Sequence, residues 1–374
     1  MNKKIPNKMI LTAGPSISQK EIDYVLDAVK NGWNENWNGY IKKFEKKFAE
    51  YVGTKYAMTT SSCTGALHLA LAALGIKEGD EVILPDLLWI APASAVRYLG
   101  GTPVFVDIES DTWCIDPGGI KKAITKKTKA IIPAHLYGHP ANMDEVNKIA
   151  EEYGLYVIED AAPSLGGEYK GKRTGSLSDV GCFSFQGAKL VVTGEGGMLV
   201  TNDDQIYERA EFLGDQGRDK NKQFWIKEIG FKYKMSNIQA AIGLAQLERI
   251  NEFLERKRQI FNWYKERLEG VEGLRLNVEK EWAKNTFWMS SIVLDKNFPV
   301  TRDELRVKLK ERNIDTRSFF YPMSQFPMFE EKSAANPISY KISKWGINLP
   351  SGVNLTEEEV NYIAENVKEL LGVK

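Results

Sequence analysis

Lys189 closes the stretch Asp179-Val180-Gly181-Cys182-Phe183-Ser184-Phe185-Gln186-Gly187-Ala188-Lys189, and Thr193-Gly194-Glu195-Gly196-Gly197 follows shortly after. An apolar run thus leads into a glycine-flanked amine and then a second glycine-rich turn. Lysines are as a rule solvated surface charges. One held between tight turns and an apolar strand is drawn inward, where burial lowers its pKa and makes the amine a usable nucleophile. Asp160 closes the run Tyr156-Val157-Ile158-Glu159. An acid after a strand is commonly a turn or helix cap, but in open α/β sheets ligands bind beyond the carboxyl ends of strands. Thr59-Thr60-Ser61-Ser62-Cys63-Thr64-Gly65-Ala66 opens the apolar segment 67–74. Small hydroxyl residues there are first of all N-caps. The same helix start leaves free amides and a positive dipole end that suit a phosphate. Trp89, just after Pro85, is of a type usually found in cores or interfaces; near this edge it could offer a flat face to a ring. An amine for an imine, an acid for a ring nitrogen, amides for a phosphate and an aromatic plate are together what pyridoxal 5′-phosphate (PLP) requires.

The elements that must position these groups are legible as apolar runs. Residues 81–85, 103–107, 130–135, 156–160, 182–185 and 198–201 read as buried strands, with helical stretches at 64–74, 91–99 and 143–153 between them. That alternation predicts an α/β fold with a mostly parallel, doubly wound sheet covered on both faces. From Asn237 the text changes: 237–268 is one long helical pattern, 286–294 reads as a strand, 302–312 and 354–371 as helices. The expected division is a large α/β domain over residues 1–250 and a small α+β domain over 251–374.

Composition removes other classes. With 374 residues, 43% hydrophobic and 27% charged, the chain is globular and long enough for two such units. Fifty basic residues balance fifty acidic ones, so no overall charge favours nucleic acid or an anionic membrane. No apolar run approaches the roughly 18 residues needed to span a bilayer. Met1-Asn2-Lys3-Lys4-Ile5-Pro6 has no apolar core for a signal peptide. Cys63, Cys114 and Cys182 form no CxxC pair, and His68, His135 and His139 no HExxH. A cytoplasmic protein of a reducing compartment, without a metal, is expected.

Several further stretches stand in a recognisable order: Gly79-Asp80-Glu81-Val82-Ile83, Pro103-Val104-Phe105-Val106-Asp107, His135-Leu136-Tyr137-Gly138, Ile158-Glu159-Asp160-Ala161-Ala162, Ser184-Phe185-Gln186-Gly187-Ala188-Lys189 and Tyr233-Lys234-Met235-Ser236-Asn237. With them the chain resembles, over nearly its whole length, the DegT/DnrJ/StrS family of fold-type I, PLP-dependent nucleotide-sugar aminotransferases. Arg317-Ser318-Phe319-Phe320-Tyr321-Pro322 and Gly346-Ile347-Asn348-Leu349-Pro350-Ser351 are similar to the C-terminal text of the GDP-perosamine synthase subgroup. The resemblance implies a mostly parallel seven-stranded sheet flanked by helices, with a smaller C-terminal domain. By position it makes Lys189 the imine-forming lysine and general acid/base, Asp160 the partner of the pyridine nitrogen, and Trp89 the stacking aromatic. It assigns the phosphate to Cys63, Thr64, Ser184 and, from the neighbouring subunit, Asn237. Substrate contacts are expected from Trp33, Glu35, Asn36, Arg317, Phe320 and Tyr321. A homodimer with shared active sites follows. L-glutamate would be the amino donor, pyridoxamine phosphate (PMP) the intermediate form, and GDP-4-keto-6-deoxymannose the acceptor.

The chain departs from the family pattern at three places. Cys63 stands where glycine is common, Pro163 where glutamine or glutamate follows the aspartate, and Asn34-Glu35-Asn36 where two hydroxyl residues are usual. UDP- or dTDP-linked keto sugars are therefore alternative acceptors. A PMP-dependent sugar dehydratase, which by the family pattern carries histidine in place of the lysine, and a non-catalytic relative are the other readings.

Overall fold

The computed structural model describes residues 6–329 and 336–373. Residues 1–5, part of the stretch read for a signal peptide, lie outside it. The strands of the first unit are β1 (Tyr56–Thr60), β2 (Glu81–Pro85), β3 (Thr102–Val106), β4 (Thr128–Ile131), β5 (Tyr156–Asp160), the short β6 (Glu168–Tyr169) and β7 (Lys172–Arg173), β8 (Val180–Ser184) and β9 (Gly197–Thr201). Its helices are α1 (Gln19–Asn31), α2 (Gly39–Val52), α3 (Cys63–Ala73), α4 (Ala91–Tyr98), α5 (Pro117–Ala123), α6 (Met143–Tyr153), α7 (Asp204–Gly214) and α8 (Asn237–Leu247). Seven strands form one sheet in the order β1-β9-β8-β5-β4-β2-β3.

Alternate residues of these strands enter different cores, as the period of two requires. Val82, Leu84, Ile158, Cys182 and Leu199 pack with α3, α4 and α7. Phe183, Met198 and Val200 pack with α2 and α8, and Ile83, Ile131 and Val157 with α6. Both faces are therefore covered, which is why the strands read as continuous apolar runs.

The neighbours from β5 to β3 and the β5–β8 pair are parallel, whereas β9 runs antiparallel to both β8 and β1. That one reversal matters for the site. β9 begins at the edge where β1, β5 and β8 end, so the connection 185–196 folds over that edge with Lys189 in it.

The pattern over 237–268 is two helices rather than the one expected. α8 stops at Leu247 and α9 (Ile250–Leu268) starts after Arg249, which has left the helical region at φ −108°. Long-range bonds hold this corner: Arg249 and Gln246 both donate to Glu21 and to the Ser16 carbonyl. α9 leads into a second unit. Here β10 (Leu274–Leu276), β12 (Ser291–Leu294), β14 (Gly346–Asn348) and β13 (Arg317–Ser318) make a four-stranded sheet in that order, while β11 (Ala283–Lys284) pairs with β6. α12 (Glu357–Leu371) packs against α9 and α10 (Arg302–Glu311) against α12, in one core with Ile260, Tyr264, Leu305 and Ile363, and α11 (Pro337–Trp345) lies beside β12. Ile10, near the start of the chain, bridges to Ile314 and is buried in this second core. Only Ser291–Leu294 of the strand expected at 286–294 forms; Phe287, at φ +49°, breaks it. No helix among the described residues is long and apolar enough to cross a membrane.

Candidate active site

The Lys189 connection is an irregular, closed hairpin. Thr193 N–H donates to the Phe185 carbonyl, Gly187 N–H to that of Gly194 and Lys189 N–H to that of Gln186. Gly194 turns it through the left-handed region at φ +83°. Trp288, from the second unit, supports it: its indole Nε1 donates to the Ala188 carbonyl at 2.9 Å, and Lys189 Nζ lies 3.9 Å from its ring centroid. Tyr137 stacks near-parallel to Trp288 and to Phe320, and Phe320 meets Trp89 with centroids 5.7 Å apart. An aromatic wall thus runs from the amine to Trp89, which is 61% exposed.

Asp160 ends β5 opposite Cys182 and is only 6% exposed. Burial pushes its carboxyl pKa up; the Lys189 charge, the Ala162 amide at 3.2 Å and His135 pull against that shift. For Lys189 burial pushes the pKa down, opposed by Asp160 and reinforced by the Arg317 guanidinium. Each member of the pair offsets part of the desolvation of the other. The result is an amine easier to deprotonate than a surface lysine, facing a buried acid.

At the start of α3, Ser62 Oγ accepts from Gly65 N–H at 3.0 Å, leaving the Cys63 and Thr64 amides at the first two helical positions without an intrahelical acceptor. Gly197 packs directly onto them: a Cβ there would stand 2.6 Å from Cys63 N and 2.5 Å from Ser62 C. Ser184 is opposite Gly197 in register. Cys63 sits in helical conformation, so glycine's freedom is not needed at that position. Burial pushes its thiol pKa far up, with the Asp160 charge adding to it.

Lys189, Asp160, Cys63, Thr64 and Ser184 therefore converge on one edge of the sheet, with Trp89 and Phe320 beside it. Arg317 is exposed at the same edge, with no carboxylate paired to it among the described residues. Tyr321 is exposed and lies near the Arg302 guanidinium. Asn237, Trp33, Glu35 and Asn36 form a separate group. Asn237 Oδ1 accepts from Tyr40 N–H at 2.9 Å, while its Nδ2 is buried without a partner, beside Gly32. Ser236, not Asn237, caps α8, its Oγ accepting from Gln239 N–H. Trp33 is exposed, and Glu35 and Asn36 lie in the exposed turn Asn34–Asn36. Pro163 is buried, and the following Ser164 donates to the Gly138 carbonyl.

Sequence reasoning missed three residues here. Trp288 carried no local signal. His135 and Glu159 stood inside recognised motifs but were given no role. Their side chains form a fully buried pair at 2.8 Å behind Asp160. His135 Nδ1 accepts from Ala141 N–H, so in the neutral ring Nε2 carries the proton and donates to Glu159. Among the described residues no group of His, Cys, Asp and Glu could hold a metal ion.

The GDP-perosamine synthase of Escherichia coli O157:H7 is 44% identical over 98% of this chain and 100% of its own length. That of Caulobacter vibrioides is 40% identical over 97% of this chain and 98% of its own. Among solved structures, the putative sugar aminotransferase Spr1654 from Streptococcus pneumoniae, in its PMP form, matches with a TM-score of 0.92 at 27% identity, covering 97% of this chain and 98% of that one. The model of the DegT/DnrJ/EryC1/StrS aminotransferase family matches residues 15–368, and it is to this family that the chain belongs.

Proposed function

We propose that this aminotransferase uses PLP to move an amino group from L-glutamate to the 4-keto carbon of GDP-4-keto-6-deoxymannose, giving GDP-perosamine for surface polysaccharide. The observation that carries the chemistry is the half-buried Lys189 amine beside buried Asp160. The residues fit PLP. The Cys63 and Thr64 amides and the Ser184 hydroxyl would hold its phosphate. Asp160 would keep a proton on its ring nitrogen, and the wall ending in Trp89 would flank the ring. When bound, PLP supplies an electron-accepting ring through which an amino group passes from one carbon skeleton to another. Lys189 Nζ would hold the coenzyme in place, and its amine would carry the proton to and from the exchanged carbon. Arg317, exposed and with no carboxylate paired to it among the described residues, would receive an anionic group of donor or nucleotide.

The substrate reading rests on the GDP-perosamine synthases, which align over nearly their whole lengths. Glu35 and Asn36 favour the alternative, a UDP- or dTDP-linked keto sugar, because they alter size and charge in the loop expected at the substrate. A dehydratase or a non-catalytic relative is disfavoured by Lys189 itself.

A homodimer with shared sites is part of the proposal. Ile22, Leu26 and Val29 form an exposed apolar stripe along α1 that continues to Trp33 and Trp37. Covering it with a second copy would bring the unpartnered Asn237 Nδ2 toward the neighbour's phosphate site. The division into residues 1–250 and 251–374 stays a working one, with Ile10 on the smaller side. Three unpaired thiols suit a cytoplasmic setting. The deciding experiment is a panel of GDP-, UDP- and dTDP-linked keto sugars incubated with glutamate, with product mass and NMR. Amination of the GDP-linked 4-keto sugar alone is expected; preferred turnover of another nucleotide would replace the substrate reading.

A further inference from the structure

Lys257, on α9, is 4% exposed, and among the described residues no carboxylate pairs with it. Its Nζ donates to two carbonyls, Trp288 at 2.8 Å and Ser351 at 2.5 Å. Burial alone pushes its pKa down to about 7. An ammonium has three donors and a neutral amine two, so two converging carbonyls suit the neutral form. A buried amine without a counter-charge is costly to keep, which raises the question of what it holds.

It holds the segment that presents Trp288. Residues 285–290 are buried, irregular backbone, with Phe287 in the left-handed region at φ +49°, where a bulky side chain is strained. External tethers maintain that conformation, and three come from one turn of α9. Lys257 takes the Trp288 carbonyl, Arg258 donates to the Asn285 carbonyl at 2.8 Å, and Phe261 stacks on Phe287 with centroids 3.7 Å apart. The other end of Trp288 reaches the lysine loop through the Nε1–Ala188 bond, with Lys189 Nζ over its ring. Ser351 joins the clamp to the N-terminal segment: its N–H donates to the Thr12 carbonyl, and its Oγ accepts from Ser290 N–H.

We propose that Lys257 is a positioning residue for Lys189: by pinning the Trp288 and Ser351 carbonyls it fixes the indole against which the Lys189 amine rests. The inference builds on the reading of Lys189 as the reacting amine, but its test does not depend on that reading. The test is a double-mutant cycle of Lys257→Met, Trp288→Phe and the pair. In full-length protein freed of coenzyme, the pKa of Lys189 is read from the pH dependence of its acylation, located by mass spectrometry; kcat is read on the reloaded protein. Loosening the wall admits water to Lys189. Each single variant should therefore raise its pKa by at least about half a unit and lower kcat by about tenfold or more. The pair should do little more than the larger single change. Additive effects, or an unmoved Lys189 pKa in Lys257→Met, would overturn the proposal and leave Lys257 a purely structural residue. If Lys257→Met does not fold, Lys257→Gln, whose shorter carboxamide reaches one carbonyl at most, takes its place in the cycle. Failure of both to fold counts against positioning. An error in the role of Lys189 shows separately, as turnover surviving in Lys189→Ala.

Discussion

Gly197→Ala puts one methyl group between β9 and the start of α3. The new Cβ would meet Ser62 C at 2.5 Å, with Ser62 O and Cys63 N at 2.6 Å. Carbon contacts settle at roughly 3.5–4.0 Å, so about 1 Å of separation is missing. All three atoms are backbone, and none can swing aside as a side chain would. β9 is paired on both sides, to Thr60 and to Ser184, so the strand cannot retreat easily either. The helix start must move. Overpacking of this kind costs about 1–3 kcal/mol of stability. Displacing the Cys63 and Thr64 amides by about 1 Å should also weaken their bonds to a phosphate, each worth roughly 1.5–3 kcal/mol, by at least half of one bond. Coenzyme affinity should then fall by about fourfold or more. The assay is titration of coenzyme-free protein with PLP, followed by visible absorbance, beside thermal unfolding with and without PLP. Gly39→Ala, where a Cβ meets open space, is the control. A variant that loses stability yet binds PLP within about twofold of the parent would refute the phosphate site at these amides. One that loses neither would refute the packing argument.

Lys189→Ala should abolish turnover while the protein still folds, and single-turnover rates in Asp160→Asn should drop about a hundredfold, the scale for losing an electrostatic stabiliser of developing charge; unchanged rates in the second would place the acid elsewhere. Asn237→Asp sets a negative charge where the proposal puts the neighbour's phosphate. Mixing it with Lys189→Ala should restore activity, because both lesions can fall in one site of a crossed dimer; exchange of subunits without recovery would put Asn237 in its own chain's site. Glu21 gives a pH test. Its burial raises the carboxyl pKa, but hydrogen bonds from Ser18 and Gln246 outweigh that and bring it down to about 2. A depressed carboxylate stabilises above its unfolded pKa of 4.5 and loses that contribution as the pH falls toward 2. The stability gap between parent and Glu21→Gln, on the order of 1–2 kcal/mol after allowance for solvent screening, should close over that window in acid-unfolding curves. A gap that stays constant there would mean Glu21 carries no such shift.

The parts of this protein set by near neighbours in the chain could be read without a structure. Six of the seven strands of the sheet announce themselves because both faces are covered, so 81–85 and 156–160 are apolar through most of their length; β1, at the sheet edge and ending in Thr59-Thr60, is not among the runs read as strands. Asp160 follows from ending such a strand, and Lys189 from standing between glycine turns. The order of motifs carried the family, though geometry then divided the residues it named into the Lys189 edge and the Asn237 group. The break after Leu247 was not legible, because Arg249 leaves the helix to meet Glu21 and Ser16, far away in sequence. Nor was the failure of 286–290 to form strand: its residue types favour β structure, and tethers from α9 override them. The direction of β9 is another such case. An unbroken apolar run says that a strand is buried, not which way it runs; Met198-Leu199-Val200 would read the same in either sense. Trp288 supports Ala188 across 100 residues, and Lys257 supports Trp288 across 31. The first contact exists only where the two units meet, and the second only once α9 packs against the 285–290 segment. A local pattern records the cost of placing a side chain in water or in a sheet; it holds no term for a partner that loop closure alone brings within reach.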